Sequence, residues 1–130
     1  MATITEDYCD FETAKLLKEK GFDEGCSFVV NAISKNVMPV SWPTTNSDIE
    51  DEETSLIALP TLQMAMKWLR EEKGIAAVPI LSSVLDNEKF LWDIEITVAK
   101  TNETYHQGWI YESYERVCEA AIKYCLENLI

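Results

Sequence analysis

Two stretches of this chain carry apolar residues at helical spacing into a Lys-Gly stop and then into a new apolar residue. They are Lys15-Leu16-Leu17-Lys18-Glu19-Lys20-Gly21-Phe22 and Lys67-Trp68-Leu69-Arg70-Glu71-Glu72-Lys73-Gly74-Ile75. Gly tolerates the left-handed backbone that ends a helix, and a late Lys complements the negative end of the helix dipole. The residues beyond each stop are strand-like, so the pair constrains the chain to a mixed helix-strand fold. Helix-stop chemistry explains the likeness of the two stretches without an internal duplication.

Asp10 is a good N-cap for a helix over 11–20 with Phe11, Ala14 and Leu17 on its inner stripe. Gly21 ends it, and Phe22 can fold back onto Leu17. Phe28, Val29, Val30 and Ile33 predict a strand over 26–33, and Ser34-Lys35-Asn36 is turn chemistry. A second strand over 37–42 holds Pro39, which lacks an N–H and belongs at a sheet edge. Pro60 suits the first turn of a helix continuing over 61–73, with Leu62, Ala65, Met66 and Leu69 as its stripe and Trp68 at the stripe's half-exposed edge. Residues 75–81 predict a short strand, with Pro79 again marking an edge or a bulge.

The strongest strand pattern is 90–99, where Phe90, Trp92, Ile94, Ile96 and Val98 alternate with more polar positions. After a turn at Thr101-Asn102-Glu103, residues 104–111 return antiparallel. A four-residue loop sets Trp92 opposite Tyr111 and His106 beside Thr97, near Glu95 on the wet face. A one-residue slip would turn His106 into the core. Ser113 caps a final helix to about residue 128, with Val117, Cys118, Ala121, Ile122, Cys125 and Leu129 as its apolar stripe. The expected fold is α+β: an antiparallel sheet, hairpin plus three-stranded meander, covered on one face by about three helices. The chain's 130 residues suit a single globular domain with a mobile acidic loop at about 43–55.

Eleven Lys and Arg face twenty-three Asp and Glu, a formal charge of −12. Such a surface repels phosphate and anionic lipid, which disfavours direct nucleic acid or membrane binding. Residues 1–12 lack the basic and apolar regions of a signal peptide, and no apolar run approaches a membrane span, so the expected location is the cytoplasm. Cys9, Cys26, Cys118 and Cys125 form no C-x-x-C pair; Cys118 and Cys125 fall on an apolar stripe, as buried thiols do.

Catalytic patterns are missing. The four Gly build neither a phosphate loop nor a dinucleotide motif, and the acids from Asp48 to Glu53 lack the alternating ligands and central Gly of a calcium loop. His106 is the only histidine, with Asp93 and Glu95 on its inferred face. No cofactor or metal is expected, and no catalytic residue is assigned. The candidate partner-binding residues are Trp42, at the mouth of the acidic loop, and Asp48, Glu50, Asp51, Glu52 and Glu53 within it. An exposed Trp beside acids makes a protein-contact anchor; a core position is the other reading of Trp42.

Three helical segments together carry a resemblance: 12–22; 60–71, with Pro60-Thr61-Leu62-Gln63 and Lys67-Trp68-Leu69-Arg70-Glu71; and 111–130, with Tyr111-Glu112-Ser113-Tyr114-Glu115-Arg116. They resemble small uncharacterised proteins encoded by phages and prophages of Bacteroidetes. The resemblance implies a context, a mobile element in a bacterial cytoplasm, and carries no activity or site residue. The first functional expectation is a non-enzymatic accessory protein that binds another protein. The second is an acidic mimic of DNA that blocks a basic nucleic-acid-binding protein. The third is a small hydrolase built on carboxylates and His106. A second copy of the chain would pair through the edge strand with Pro39 or the wet face of the meander.

Overall fold

The computed structural model describes residues 6–49, 55–106 and 108–130. In chain order it holds helix α1 (Phe11–Glu19), strands β1 (Cys26–Asn31), β2 (Val37–Thr44) and β3 (Leu56–Leu59), helix α2 (Leu62–Lys73), strands β4 (Ile75–Leu85), β5 (Lys89–Val98) and β6 (Glu103–His106), and helix α3 (Tyr114–Asn128). All strand pairs are antiparallel. They form two three-stranded sheets, ordered β2-β1-β3 and β4-β5-β6. The class is α+β, as the helix stops and alternating strands imply. The chain divides into two compact units, one ending at Thr61 and one beginning at Leu62.

In the first unit Asp10 caps α1 by accepting the Thr13 N–H at 2.8 Å. Gly21 takes a φ of +95°. Its N–H donates to Lys18 O, and the Phe22 N–H donates to Leu17 O at 2.9 Å, the paired bonds of a Schellman ending. Phe22 is buried with Ala14 and Leu17 of α1 and with Cys26, Val29 and Val30 of β1.

The hairpin of β1 and β2 forms as expected, and a third strand joins it. Residues 56–59, just beyond the expected loop, pair along β1 from Phe28↔Leu59 to Asn31↔Leu56. Ile57, Ala58 and Leu59 are buried, and α1 lies against them. Helix α2 starts after Pro60 and Thr61 because both are held in extended pairing. The Pro60 carbonyl accepts the Cys9 N–H at 3.0 Å, and Thr61 bridges Tyr8.

Strand β2 is irregular. Between the pairs Cys26↔Thr44 and Phe28↔Pro39, Ser27 alone faces residues 40–43, so β2 bulges outward. Gly25 lies beneath this bulge; a Cβ there would stand 2.8 Å from Pro43 Cβ.

In the second unit α2 ends at Gly74, and α3 begins at Ser113, whose Oγ accepts the Arg116 N–H at 3.2 Å. The predicted stripe of α3 is buried from Val117 to Cys125, with Leu126 added. Helices α2 and α3 pack against β4, and α3 also against β5. Trp68, expected to be half exposed, is buried, with Lys73 Nζ 5.5 Å from its ring centroid.

Strand β4 is longer than its sequence suggests. It pairs with β5 from Ile75↔Val98 to Leu85↔Lys89 and turns back through Asp86 and Asn87, both with positive φ. The expected Trp92–Tyr111 pair forms, exchanging N–H···O bonds of 2.7 and 2.9 Å. Nearer the turn the register is tighter: His106 stands opposite Glu95, not Thr97. The chain leaves the ladder around Gly108, whose φ is +69°, and rejoins it at Tyr111. A two-residue shift preserves the face, so His106 stays on the side of Asp93 and Glu95. Among the described residues no helix is long and apolar enough to cross a membrane.

Candidate functional site: the outer β4–β5 hairpin

Along β5 the alternation expected from sequence holds over its inner half. Ile94 and Ile96 are fully buried, with Pro79 and Ala77 as their partners across the ladder. The same face continues outward through Trp92 and Phe90, opposite Leu81 and Val84. There the cover ends. Trp92 is half-buried with its ring 5.2 Å from that of Tyr114, but Leu81, Val84 and Phe90 are 49%, 50% and 54% exposed. Val78 and Leu85 add exposed apolar side chains to the strand.

Strand β4 is also an end strand of its sheet. Trp92 directs both backbone groups to Tyr111, on the β6 side. Alternation turns those of Ile94 the same way and those of Asp93 and Glu95 toward β4. Pro79 and Leu81, opposite Ile94 and Trp92, therefore aim their backbone groups away from β5. Past the irregularity between Leu81 and Ser83, Val84 does the same opposite Phe90. The eleven residues of β4 include no charged side chain. Natural edges are usually blunted by charge, and here only Pro79 and the bulge serve.

On the other face Asp93 is buried. Its Oδ1 accepts the Ile94 N–H at 2.7 Å, and its Oδ2 lies 2.9 Å from His106 Nε2. The Asp93 side chain is 8% exposed and that of His106 60%. Thr97 and Thr104 bond each other through their hydroxyls at 3.0 Å. His106 thus holds a buried carboxylate, a structural task that register explains and sequence only half anticipates: the face is right, while the partner is Asp93.

Trp42 is 77% exposed, lifted out by the bulge in β2. Asp48 lies in the next turn, where its Oδ2 accepts the Thr45 N–H at 3.0 Å. Glu50, Asp51, Glu52 and Glu53 fall outside the described residues. The turn is tied to the body by Asn46, which donates to Phe22 O at 2.8 Å and accepts from the Ala58 N–H at 3.0 Å. Asp23 accepts from the Ser47 hydroxyl and N–H, and these bonds hold its pKa below the ordinary carboxylate value.

All four cysteines are buried thiols. Burial pushes the Cys26 thiol up to about 11 and those of Cys118 and Cys125 up to about 12, so at neutral pH they are protonated and poor nucleophiles. Among the described residues no group of three or more His, Cys, Asp and Glu is arranged to hold a metal ion. No protein-family model, curated protein or solved structure matches the chain.

Sequence reasoning misses the outer hairpin because it ends the strand at Leu81. The signal that could have found it is the apolar pair Val84-Leu85 before Asp86-Asn87, a turn dipeptide tolerant of positive φ.

Proposed function

We propose that this chain is a non-enzymatic accessory protein of phage or prophage type that binds another protein, with the outer β4–β5 hairpin as its contact surface. One observation carries this. Leu81, Val84 and Phe90 stay about half exposed on the same sheet face that buries Ile94 and Ile96 completely. An apolar patch beside an uncharged edge, on a chain of −12, is chemistry suited to a partner. The phage context and the bacterial cytoplasm draw on the helix resemblance alone. An acidic surface that imitates DNA is the alternative, and it depends on the acids from Asp48 to Glu53.

The test is affinity capture from a Bacteroidetes lysate with the parent chain and with a Leu81→Ser, Val84→Ser, Phe90→Ser variant, each checked for folding by circular dichroism. A partner held by the parent and lost by the folded variant supports the hairpin. Equal capture by both, or no specific capture, overturns it. Loss only when Glu50, Asp51, Glu52 and Glu53 become Ser, with a basic nucleic-acid-binding protein as the partner, puts the DNA mimic in its place.

A further inference from the structure

We propose that the outer part of β4 is a strand-addition site that takes a short, extended, basic and apolar segment of another protein. Strand addition presupposes that the hairpin is the contact surface, and it adds the mode of binding and the chemistry of the partner.

Three features converge on this segment. The first is backbone geometry: Leu81 and Val84 aim both N–H and C=O away from β5, and Pro79 aims its C=O the same way, so an added strand finds donors and acceptors at strand spacing. The second is side-chain chemistry. Leu81, Val84 and Phe90 form an exposed apolar strip on one face, which the alternate side chains of an added strand would cover. The third is charge. Between Ile75 and Val98, apart from the buried Asp93 that His106 holds, stand the exposed Asp86 and Glu88 and the half-buried Glu95 against Lys89 alone, within a chain of −12. A second copy would bring −12 against −12, with no charge on β4 to offset the repulsion. A basic segment is attracted by the same field.

The probe is a capped seven-residue peptide that alternates Lys with Val. Its controls are the Glu-Val counterpart, a peptide of the same composition with its apolar residues contiguous, and a Lys-Val peptide N-methylated at alternate residues. The expected result is amide exchange at Leu81 and Val84 slowed about tenfold or more by the Lys-Val peptide alone. Its affinity should fall several-fold between about 20 and 200 mM salt. In the protein, Leu81→Pro removes the outward N–H and should abolish binding, while Leu81→Ala retains the exchange effect.

Strand addition is overturned if the Lys-Val peptide does not bind, if it binds without slowing Leu81 and Val84, or if the Glu-Val or N-methylated peptide binds equally well. Protection of the same amides by the chain alone, rising with protein concentration and with salt, would make a second copy the occupant and overturn the basic partner. If the triple Ser variant loses its lysate partner while the peptides leave Leu81 and Val84 unchanged, strand addition fails and the hairpin stands as a contact surface.

Discussion

Replacing His106 with Ala should destabilise the second unit through a residue it does not touch covalently, Asp93. The Asp93 carboxylate is buried, with Oδ1 on the Ile94 N–H at 2.7 Å and Oδ2 on His106 Nε2 at 2.9 Å. A hydrogen bond to a charged group contributes roughly 1.5–3 kcal/mol. His106 is 60% exposed, so water reaches the vacated place and the expected loss falls to about 1 kcal/mol. Asp93→Ala should cost about 2 kcal/mol, because the buried Ile94 amide loses its acceptor as well. The double variant then falls short of the sum of the two by about 1 kcal/mol. For 130 residues that is a shift in Tm of about 3–5 °C. The assay is urea unfolding of all four proteins at one pH and ionic strength, with amide exchange at Ile94 as a reporter confined to this unit. A coupling within about 0.3 kcal/mol of zero would refute the pairing as a source of stability.

The geometry yields three further outcomes. Gly25→Ala places a Cβ 2.8 Å from Pro43 Cβ and should cost about 1–3 kcal/mol in urea unfolding, recovered in part by Pro43→Gly. Asn46→Ala leaves the Ala58 N–H without its side-chain acceptor and should cost about 1–2 kcal/mol, while Asn46→Asp, which keeps that acceptor but sets a carboxylate oxygen against the Phe22 carbonyl, costs at least as much in the same measurement. Burial raises the Cys118 and Cys125 thiols from 9.0 to about 12, so the stability linked to their protonated state is complete below pH 9 and is lost as pH climbs toward 12. At pH 10 the loss is about 1.4 kcal/mol per thiol, read as the extra fall in urea midpoint of the parent over a Cys118→Ala, Cys125→Ala variant.

The helices are legible because their ends are written in side chains. Asp10, Gly21 with Phe22, Gly74 and Ser113 each satisfy a local need that sequence displays. β5 is legible because Phe90, Trp92, Ile94, Ile96 and Val98 alternate with other positions, although of these only Ile94 and Ile96 are fully buried. β3 is not, since Leu56-Ile57-Ala58-Leu59 is continuously apolar and comes after a run of acids; a strand buried without alternation has no period to detect. Trp42 fits core or surface equally by sequence, and a bulge four residues long decides it, a tertiary event with no local code. The side of the sheet that His106 takes survives a register error because the error is even, although Asp93 on that side is buried. Neither the division into two sheets nor the bare edge of β4 has a local signature, as both depend on which strands pair.

If a strand adds to this edge as proposed, Pro79 limits how long the complex lasts. It offers no N–H to an added strand, and Ala77 beyond it is buried, so docking is confined to 79–85. Seven residues span about 20–25 Å of strand. Such a contact falls well below the roughly 1,600 Å² of a standard stable interface. The proposed complex would therefore dissociate rapidly, and a lasting assembly would need a second point of attachment supplied by the partner.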